Sequence, residues 1–130
     1  MADHIYKTKV YYEDTDVGGI VYYARYLHFF ERARTEMIYD HLKLKHKQLR
    51  DQFNAIFVVR ECNVKYIKSA NFEDNLEVKT KIIKKSSVRL NLLQEVSRNN
   101  EILVTAQVEL AVIDSNGSVS KLPKDLLEKI

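Results

Sequence analysis

A short segment near the amino terminus combines carboxylates and glycines in a pattern suited to chemistry on a carbonyl group. Asp14 and Asp16 precede Gly18 and Gly19, and the pattern of a long amphipathic helix begins at about Tyr22. Glycine accepts positive φ and lets a ligand approach the backbone, while a helix start offers unpaired N–H groups and positive dipole potential. The spacing predicts a carboxylate facing a polarised carbonyl, although a plain strand-to-helix turn with Asp16 as an acidic residue near the helix start explains it too.

Longer runs around this segment decide between the two interpretations. They are Val10-Tyr11-Tyr12-Glu13-Asp14-Thr15-Asp16, Gly18-Gly19-Ile20-Val21-Tyr22, Tyr26 and Phe30-Glu31-Arg32-Ala33-Arg34-Thr35-Glu36. In this order they resemble the 4-hydroxybenzoyl-CoA thioesterase family, and within it most closely the Tol–Pal-associated acyl-CoA thioesterase branch. A looser likeness continues from Phe57 to Val112. The resemblance implies one hotdog thioesterase domain over residues 1–130, of the α+β class, with a long central helix packed on a curved antiparallel sheet of about five strands.

The resemblance also implies roles for residues of the motif. Asp16 matches the catalytic aspartate of the family, and it would act on a thioester either as a nucleophile or as a general base. The backbone N–H of Tyr23 would donate to the thioester oxygen, and Gly18 and Gly19 would let the acyl group approach the backbone. Asp14 is expected to support the turn.

Three further side chains are candidates for substrate binding. Tyr12 matches an aromatic position of the branch and would line the pocket, or pack on the helix as a strand residue. Lys84 and Lys85 lie at an expected hairpin turn, where they would contact the phosphates of CoA or form a solvated charged turn. At position 23 the nearest branch commonly carries His, so no imidazole is available there, and the acyl preference stays open.

Other nucleophiles and cofactors are less favoured by the sequence. Glu31 is a fallback, since a second branch of hotdog thioesterases uses a helical glutamate, but pairing with Arg34 or Arg25 is the better explanation. Cys62 is expected to be buried or half-buried on a strand, with no His beside it in the sequence. No metal-ligand spacing and no Gly-x-Ser-x-Gly elbow is present, which excludes an α/β-hydrolase thioesterase. We therefore expect neither a metal nor a redox cofactor.

The periodicity of the chain predicts the elements that position this site. A first strand is expected at Tyr6–Tyr12 and a helix at Tyr22–His46, followed by a charged helix end and connection to Asn54. Strands are predicted at Ala55–Ile67, Leu76–Lys84, Val88–Val96 and Glu101–Ile113, with a short helix after Pro123. On the first of these strands one apolar face is expected, formed by Ile56, Val58, Cys62, Val64 and Tyr66.

The last long strand predicts an oligomer. Every second residue from Ile102 to Val112 is apolar and forms one face, and Leu103, Ala111 and Ile113 are apolar on the other face. Because a single helix covers only one face, a second subunit is expected to cover the other. The resemblance adds a homotetramer built as a dimer of dimers, with Asp16 of one chain facing strand residues from about Asn63 to Ile67 of its neighbour.

Length, charge and composition narrow the remaining classes. A chain of 130 residues suits one domain, and a net charge of +3 spread among acidic residues does not indicate nucleic acid binding. No signal peptide or apolar run of membrane-spanning length is expected, and one cysteine suits the cytoplasm. We infer an acyl-CoA thioesterase. The alternatives are a thioesterase acting on acyl carrier protein and a non-catalytic partner of acyl carrier protein or of an envelope complex.

Overall fold

The computed structural model describes residues 3–130, which form one antiparallel sheet covered by a long helix. The elements in chain order are β1 His4–Lys9, a 3-10 turn Tyr12–Asp14, α1 Arg25–Leu42, α2 His46–Phe53, β2 Ile56–Tyr66, β3 Asn75–Lys85, β4 Arg89–Arg98, β5 Glu101–Ile113 and α3 Lys124–Lys129. The strand order is β1-β3-β4-β5-β2, and every neighbouring pair is antiparallel. The predicted α+β arrangement of a long helix on five strands is confirmed.

Helix α1 buries one continuous face against the sheet, as its periodicity predicts. Its buried residues are Tyr26, Phe29, Phe30, Ala33, Met37, Ile38 and Leu42. Each large side chain buried in this way contributes about 1.5–3 kcal/mol to folding. This stripe is the main attachment of the helix to the sheet.

The predicted bounds of the helix were wrong at both ends. Tyr22 precedes the helix and is exposed, and its N–H donates to the carbonyl of Asp14 in the preceding turn. Lys43 takes a left-handed φ of 56° and ends α1. The charged segment beyond it is a separate helix, α2, rather than a helix end and connection.

The first strand is shorter than the sequence predicts. β1 ends at Lys9, and Val10 then exchanges backbone hydrogen bonds with the turn at Glu73 and Asp74. The chain next enters the 3-10 turn, where Asp14 Oδ2 accepts the N–H of Tyr11 at 2.9 Å. Tyr12 is therefore a turn residue and not a strand residue packed on the helix.

A bulge in β2 changes which of its side chains face the helix. Val59 lies opposite Leu110, but Glu61 lies opposite Glu109, so Arg60 is an extra residue. Beyond the bulge Cys62 lies opposite the buried Val108, on the helix side. The predicted single apolar face from Ile56 to Tyr66 was wrong, because one extra residue inverts the alternation.

A second bulge corrects the prediction for β5. Val104 lies opposite Val96 and Ile102 lies opposite Ser97, so Leu103 is the extra residue. Leu103 is fully buried and Ile102 is exposed, so Ile102 does not share a face with Val104 as the predicted alternation requires. On the face away from the helix, Ala111 is buried near the end of the strand, but the middle of the strand carries Thr105, Gln107 and Glu109. The expectation of a strand apolar on both faces was wrong over most of its length.

A buried polar network joins α1 to the sheet. Gln94 is 0% exposed, and its Nε2 donates to the carbonyl of Phe30 at 3.1 Å and to Thr80 Oγ1 at 2.9 Å. Its Oε1 accepts Arg34 Nη1 at 3.0 Å, and burial lowers the pKa of that guanidinium. Because each buried polar group needs its partner, the network ties α1 to one register on β3 and β4.

Replacing Gln94 with Ala should lower the free energy of unfolding by about 2–3 kcal/mol, because it removes the acceptor of the Arg34 guanidinium and the buried hydrogen bond to Thr80. Urea unfolding would measure the loss. The matched control is Gln107→Ala on the exposed opposite face of the sheet, which should change the free energy by no more than about 0.5 kcal/mol. Equal losses in the two variants would contradict the proposed role of the network.

Candidate active site

The loop before α1 folds into a tight turn around the two glycines. Thr15 and Val21 form an antiparallel bridge across it, and Asp16 N–H donates to the carbonyl of Ile20 at 2.9 Å. Gly19 N–H donates back to the carbonyl of Asp16 at 3.1 Å, with φ of +79° at Gly19. A glycine is needed at position 19 because other residues adopt this φ only with strain.

The segment after β2 holds this turn in place. Val21 N–H donates to the carbonyl of Ala70 at 2.9 Å, and Phe72 N–H donates to the carbonyl of Gly19 at 3.0 Å. Ala70 is in turn held by α1, because its N–H donates to the buried Tyr26 Oη at 2.9 Å. The turn therefore has a defined position relative to the helix start.

The carboxylate of Asp16 is oriented by its own turn. Its Oδ1 accepts the N–H of Gly18 at 2.8 Å, and a Cβ at residue 18 would lie only 3.3 Å from the same oxygen. Glycine at position 18 thus leaves room for the carboxylate to fold back on the backbone. Asp16 lines a cavity of about 400 Å³ whose other lining residues are Glu13, Thr15, Tyr22, Ala24, Arg25 and His28.

Asp14 and Asp16 have different surroundings although they are two residues apart. Asp14 is buried, and its side chain caps the 3-10 turn, as the sequence predicts. Arg25 Nε lies 3.1 Å from Asp14 Oδ1, and Arg25 Nη2 donates to the carbonyl of Glu13 at 2.9 Å. Asp16 is exposed and forms no ion pair within residues 3–130. Of the two carboxylates, only Asp16 is available to a ligand.

Tyr23 lies just before Ala24, the N-cap of α1, and its N–H has no acceptor in the described part of the chain. Its carbonyl accepts the hydroxyl of Tyr66, the last residue of β2, at 3.0 Å. The rings of Tyr22 and Tyr23 lie 5.0 Å apart, and those of Tyr23 and Tyr66 lie 6.1 Å apart. These three tyrosines form an exposed aromatic cluster beside the turn.

Sequence reasoning did not assign the residues that complete this region. Arg25, His28 and Tyr22 share the cavity of Asp16, and Tyr66 reaches the loop from the far end of the sheet. The helical spacing of Arg25 and His28 shows that they lie one turn apart, a signal that could have placed both near the helix start. No local signal could have revealed Tyr66, because its contact depends on how the strand crosses the helix.

The other predicted binding residues lie apart from Asp16. Tyr12 is 82% exposed and packs edge-on against Phe72, at 5.7 Å between ring centroids. Lys84 and Lys85 line a separate cavity of about 280 Å³ that shares no lining residue with the cavity of Asp16. Lys85 Nζ also donates to the carbonyls of Leu127 and Ile130, so it caps the end of α3.

Two expectations about other reactive side chains are corrected. Glu31 pairs with neither arginine, since Arg25 is engaged by Asp14 and Glu31 Oε2 accepts the hydroxyl of Thr35 at 3.3 Å. Cys62 is exposed as a residue and not part of the core. Partial burial of the thiol nevertheless raises its pKa, against the opposing effect of Arg34. The thiol is therefore mostly protonated at neutral pH and a poor nucleophile.

Two observations bear on metals and membranes. Among the residues that the structure describes, no group of three or more His, Cys, Asp or Glu side chains could hold a metal ion. In the same residues, none of the helices combines the length and apolar character needed to cross a bilayer. The expectation of no metal and no redox cofactor stays a prediction.

Comparison with known proteins gives consistent matches. The family model described as "Thioesterase-like superfamily" matches residues 10–130. The acyl-CoA thioesterase YbgC of Haemophilus influenzae is 39% identical over 109 residues, which cover 84% of this chain and 79% of that protein. Its similarity confirms the predicted resemblance to acyl-CoA thioesterases, whereas an association with Tol–Pal stays a prediction.

Solved structures share the fold. The structure described as "Probable Thioesterase from Bartonella henselae" is 35% identical in sequence and superimposes with a TM-score of 0.88. The match covers 94% of this chain and 100% of that one. A 4-hydroxybenzoyl-CoA thioesterase variant in complex with 4-hydroxybenzoyl-CoA has a TM-score of 0.90 at 17% identity, covering 98% of this chain and 97% of that one. At that identity it shows the fold alone. Together these matches show that the chain belongs to the thioesterase-like superfamily and is a thioester hydrolase with the hotdog fold.

Proposed function

We propose that this protein hydrolyses acyl-CoA thioesters to a free acid and CoA, with Asp16 as the carboxylate that initiates the reaction. The observation that carries the proposal is that one loop, leading into α1, holds both an exposed carboxylate without an ion pair, Asp16, and a backbone N–H without an acceptor, that of Tyr23, within the described residues. An anionic nucleophile or base and a donor for a developing oxyanion are the two groups that thioester hydrolysis needs. The name of the YbgC relative supports a CoA thioester as the substrate.

Asp16 has two chemically balanced routes to the products. As a nucleophile, a carboxylate oxygen adds to the thioester carbon, the C–S bond breaks to release the CoA thiolate, and water hydrolyses the resulting anhydride. As a general base, it takes a proton from a water that adds to the same carbon, and the thiolate again leaves. In both routes the carbonyl oxygen becomes negatively charged before the C–S bond breaks.

The start of α1 is suited to stabilise that negative charge. The N–H of Tyr23 would donate to the oxyanion, and the helix dipole adds positive potential at the same end. Gly18 N–H holds Oδ1 of Asp16 at 2.8 Å, so Oδ2 is the oxygen available for attack or proton removal. Arg25 neutralises Asp14 and thereby limits the repulsion between the two neighbouring carboxylates.

The substrate would lie against surfaces that the chain already provides. Tyr22 and Tyr23 offer an apolar wall for the acyl group beside the turn. Lys84 and Arg89, which line the cavity at the end of the β3–β4 hairpin, offer two cations for the phosphates of CoA. Lys85 is less available because its Nζ already binds two carbonyls. A thioester of acyl carrier protein is the alternative donor, since it has the same reacting group.

The active form is proposed to be a homo-oligomer, with a dimer as its basic unit and a tetramer as the larger assembly. β2 is an edge strand of eleven residues, and Val59, Tyr66 and the adjacent Ile67 are exposed along it. The other edge, β1, is shorter and carries Lys7 and Lys9, which discourage strand pairing. Pairing of β2 with a second copy would extend the sheet and bring its residues from about Asn63 to Ile67 towards the site of the neighbour.

The cytoplasmic location stays a prediction from the single cysteine.

Asp16→Asn should lower kcat/KM for acyl-CoA by about 10²–10⁴-fold, because the amide is neither a base nor an anionic nucleophile. Steady-state hydrolysis measured across short, long and aromatic acyl-CoAs would test this and define the acyl preference. Asp51→Asn makes the same chemical change in an exposed surface pair on α2 and should leave activity and stability unchanged. Activity of Asp16→Asn within about threefold of the wild type would remove Asp16 from the mechanism.

Gly19→Val should lower kcat at least about 10-fold, because a β-branched residue at this φ distorts the turn that orients Asp16. Gly117→Val is a matched control, since Gly117 also has a positive φ of +84° and open space around its Cβ position, but lies in the turn after β5. Both variants should lose a similar amount of stability, about 1–3 kcal/mol, in thermal unfolding. Normal turnover by Gly19→Val would contradict the proposed role of the turn.

Light scattering at micromolar concentration should give a mass of at least two chains. Asp16→Asn subunits mixed with subunits altered in β2 by Asn63→Arg should recover activity, because a mixed dimer has one site free of both changes. The two variants assayed separately are the controls, and both should be nearly inactive. A fully active monomer would refute the oligomer, and a dimer without recovery on mixing would refute the shared site.

A further inference from the structure

The carbonyl of Tyr23 lies outside the hydrogen-bond ladder of α1. Ala24 is the N-cap of the helix, and Leu27 N–H donates to the carbonyl of Ala24 at 3.2 Å and not to that of Tyr23. The carbonyl of Tyr23 instead accepts the hydroxyl of Tyr66 at 3.0 Å. A side chain of β2 thus supplies the partner that the helix does not.

Tyr66 is itself held on several sides. Its ring packs edge-on against Tyr23 and Tyr26, at 6.1 Å and 5.7 Å between centroids. The backbone immediately after it is fixed by two hydrogen bonds, from Ile67 N–H and Lys68 N–H to the carbonyl of Leu103. The hydroxyl therefore approaches the loop from a rigid support, and its contact with the Tyr23 carbonyl restricts rotation of that residue.

We infer that Tyr66 is a positioning residue for hydrolysis, whose hydroxyl holds the Tyr23 carbonyl and so aims the Tyr23 N–H at the thioester oxygen. The inference rests on the proposed function. The N–H and the carbonyl of Tyr23 flank the same Cα, so fixing one limits the directions available to the other. Donors to an oxyanion act through their prior orientation, and small displacements weaken them strongly.

The protonation of Tyr66 suits this role. Its pKa is raised by burial of the ring, and the neighbouring Tyr23, Cys62 and Tyr26 raise it further. The phenol consequently stays protonated, and stays a donor, throughout the neutral range. Removing the hydroxyl should therefore lower the height of the pH–rate profile near neutrality without moving its acidic limb.

Tyr66→Phe tests the inference, because it removes the hydroxyl and keeps the ring. We expect kcat to fall about 10-fold, with KM within about twofold of the wild type and the acidic limb of the profile unchanged. The control is Tyr39→Phe, an exposed residue of α1 whose hydroxyl makes no hydrogen bond within residues 3–130. Its kcat should equal that of the wild type. An unchanged kcat in Tyr66→Phe, or a higher KM with unchanged kcat, would overturn the inference.

A second measurement does not depend on turnover. The amide nitrogen of Ala24 shares a peptide unit with the carbonyl of Tyr23, so its ¹⁵N resonance reports on the hydrogen bond to that carbonyl. The resonance should shift in Tyr66→Phe and stay in place in Tyr39→Phe, and an unshifted resonance in Tyr66→Phe would overturn the inference.

The failures of the two proposals are distinguishable. A wild-type protein that hydrolyses no acyl-CoA, or a fully active Asp16→Asn, would refute the proposed function. An active wild type and an inactive Asp16→Asn, combined with an unaltered kcat in Tyr66→Phe, would refute only the role of Tyr66.

Discussion

The backbone N–H groups at a helix start have no partner within the helix, so a fixed position for one that lies before the first turn requires contacts from outside the helix. In this protein that requirement governs the loop from Thr15 to Ala24. The N–H of Tyr22 donates to the carbonyl of Asp14, and the N–H of Val21 donates to the carbonyl of Ala70. The hydroxyl of Tyr66 donates to the carbonyl of Tyr23. With these contacts made, the N–H of Tyr23 is left available at a defined position. The position of the helix start is thus fixed by the turn, by the segment after β2 and by the end of β2.

The attachment of α1 to the sheet sets the position of that helix start. Apolar burial holds the helix on the sheet, but it is not directional. The hydrogen bonds of Gln94 to Phe30, Thr80 and Arg34 are directional, so they favour one axial position of the helix. Because Tyr66 lies on the sheet and Tyr23 at the helix start, their hydrogen bond depends on the same alignment.

The two aspartates of the motif differ in their electrostatic surroundings and therefore in their roles. Asp14 is buried, caps the 3-10 turn and faces Arg25, so its charge is used in holding the backbone. Asp16 is exposed and receives one backbone N–H, which orients it without neutralising it. An accessible carboxylate beside a helix N-terminus is suited to attack on a carbonyl.

The sequence alone determined the features that depend on local periodicity and on a contiguous motif. The buried stripe of α1, the β3–β4 hairpin, the bounds of β5 and the family were predicted correctly, because residues close in the chain carry those signals. Only the tertiary structure decided the rest. The bulges at Arg60 and Leu103 depend on pairing with neighbouring strands, and each inverts the faces expected from alternation. The separation of Lys84 and Lys85 from the cavity of Asp16, and the contact of Tyr66 with Tyr23, depend on how the sheet crosses the helix. Such long-range contacts leave no periodic trace in the sequence, because the partners are far apart in the chain and each would suit many other surroundings.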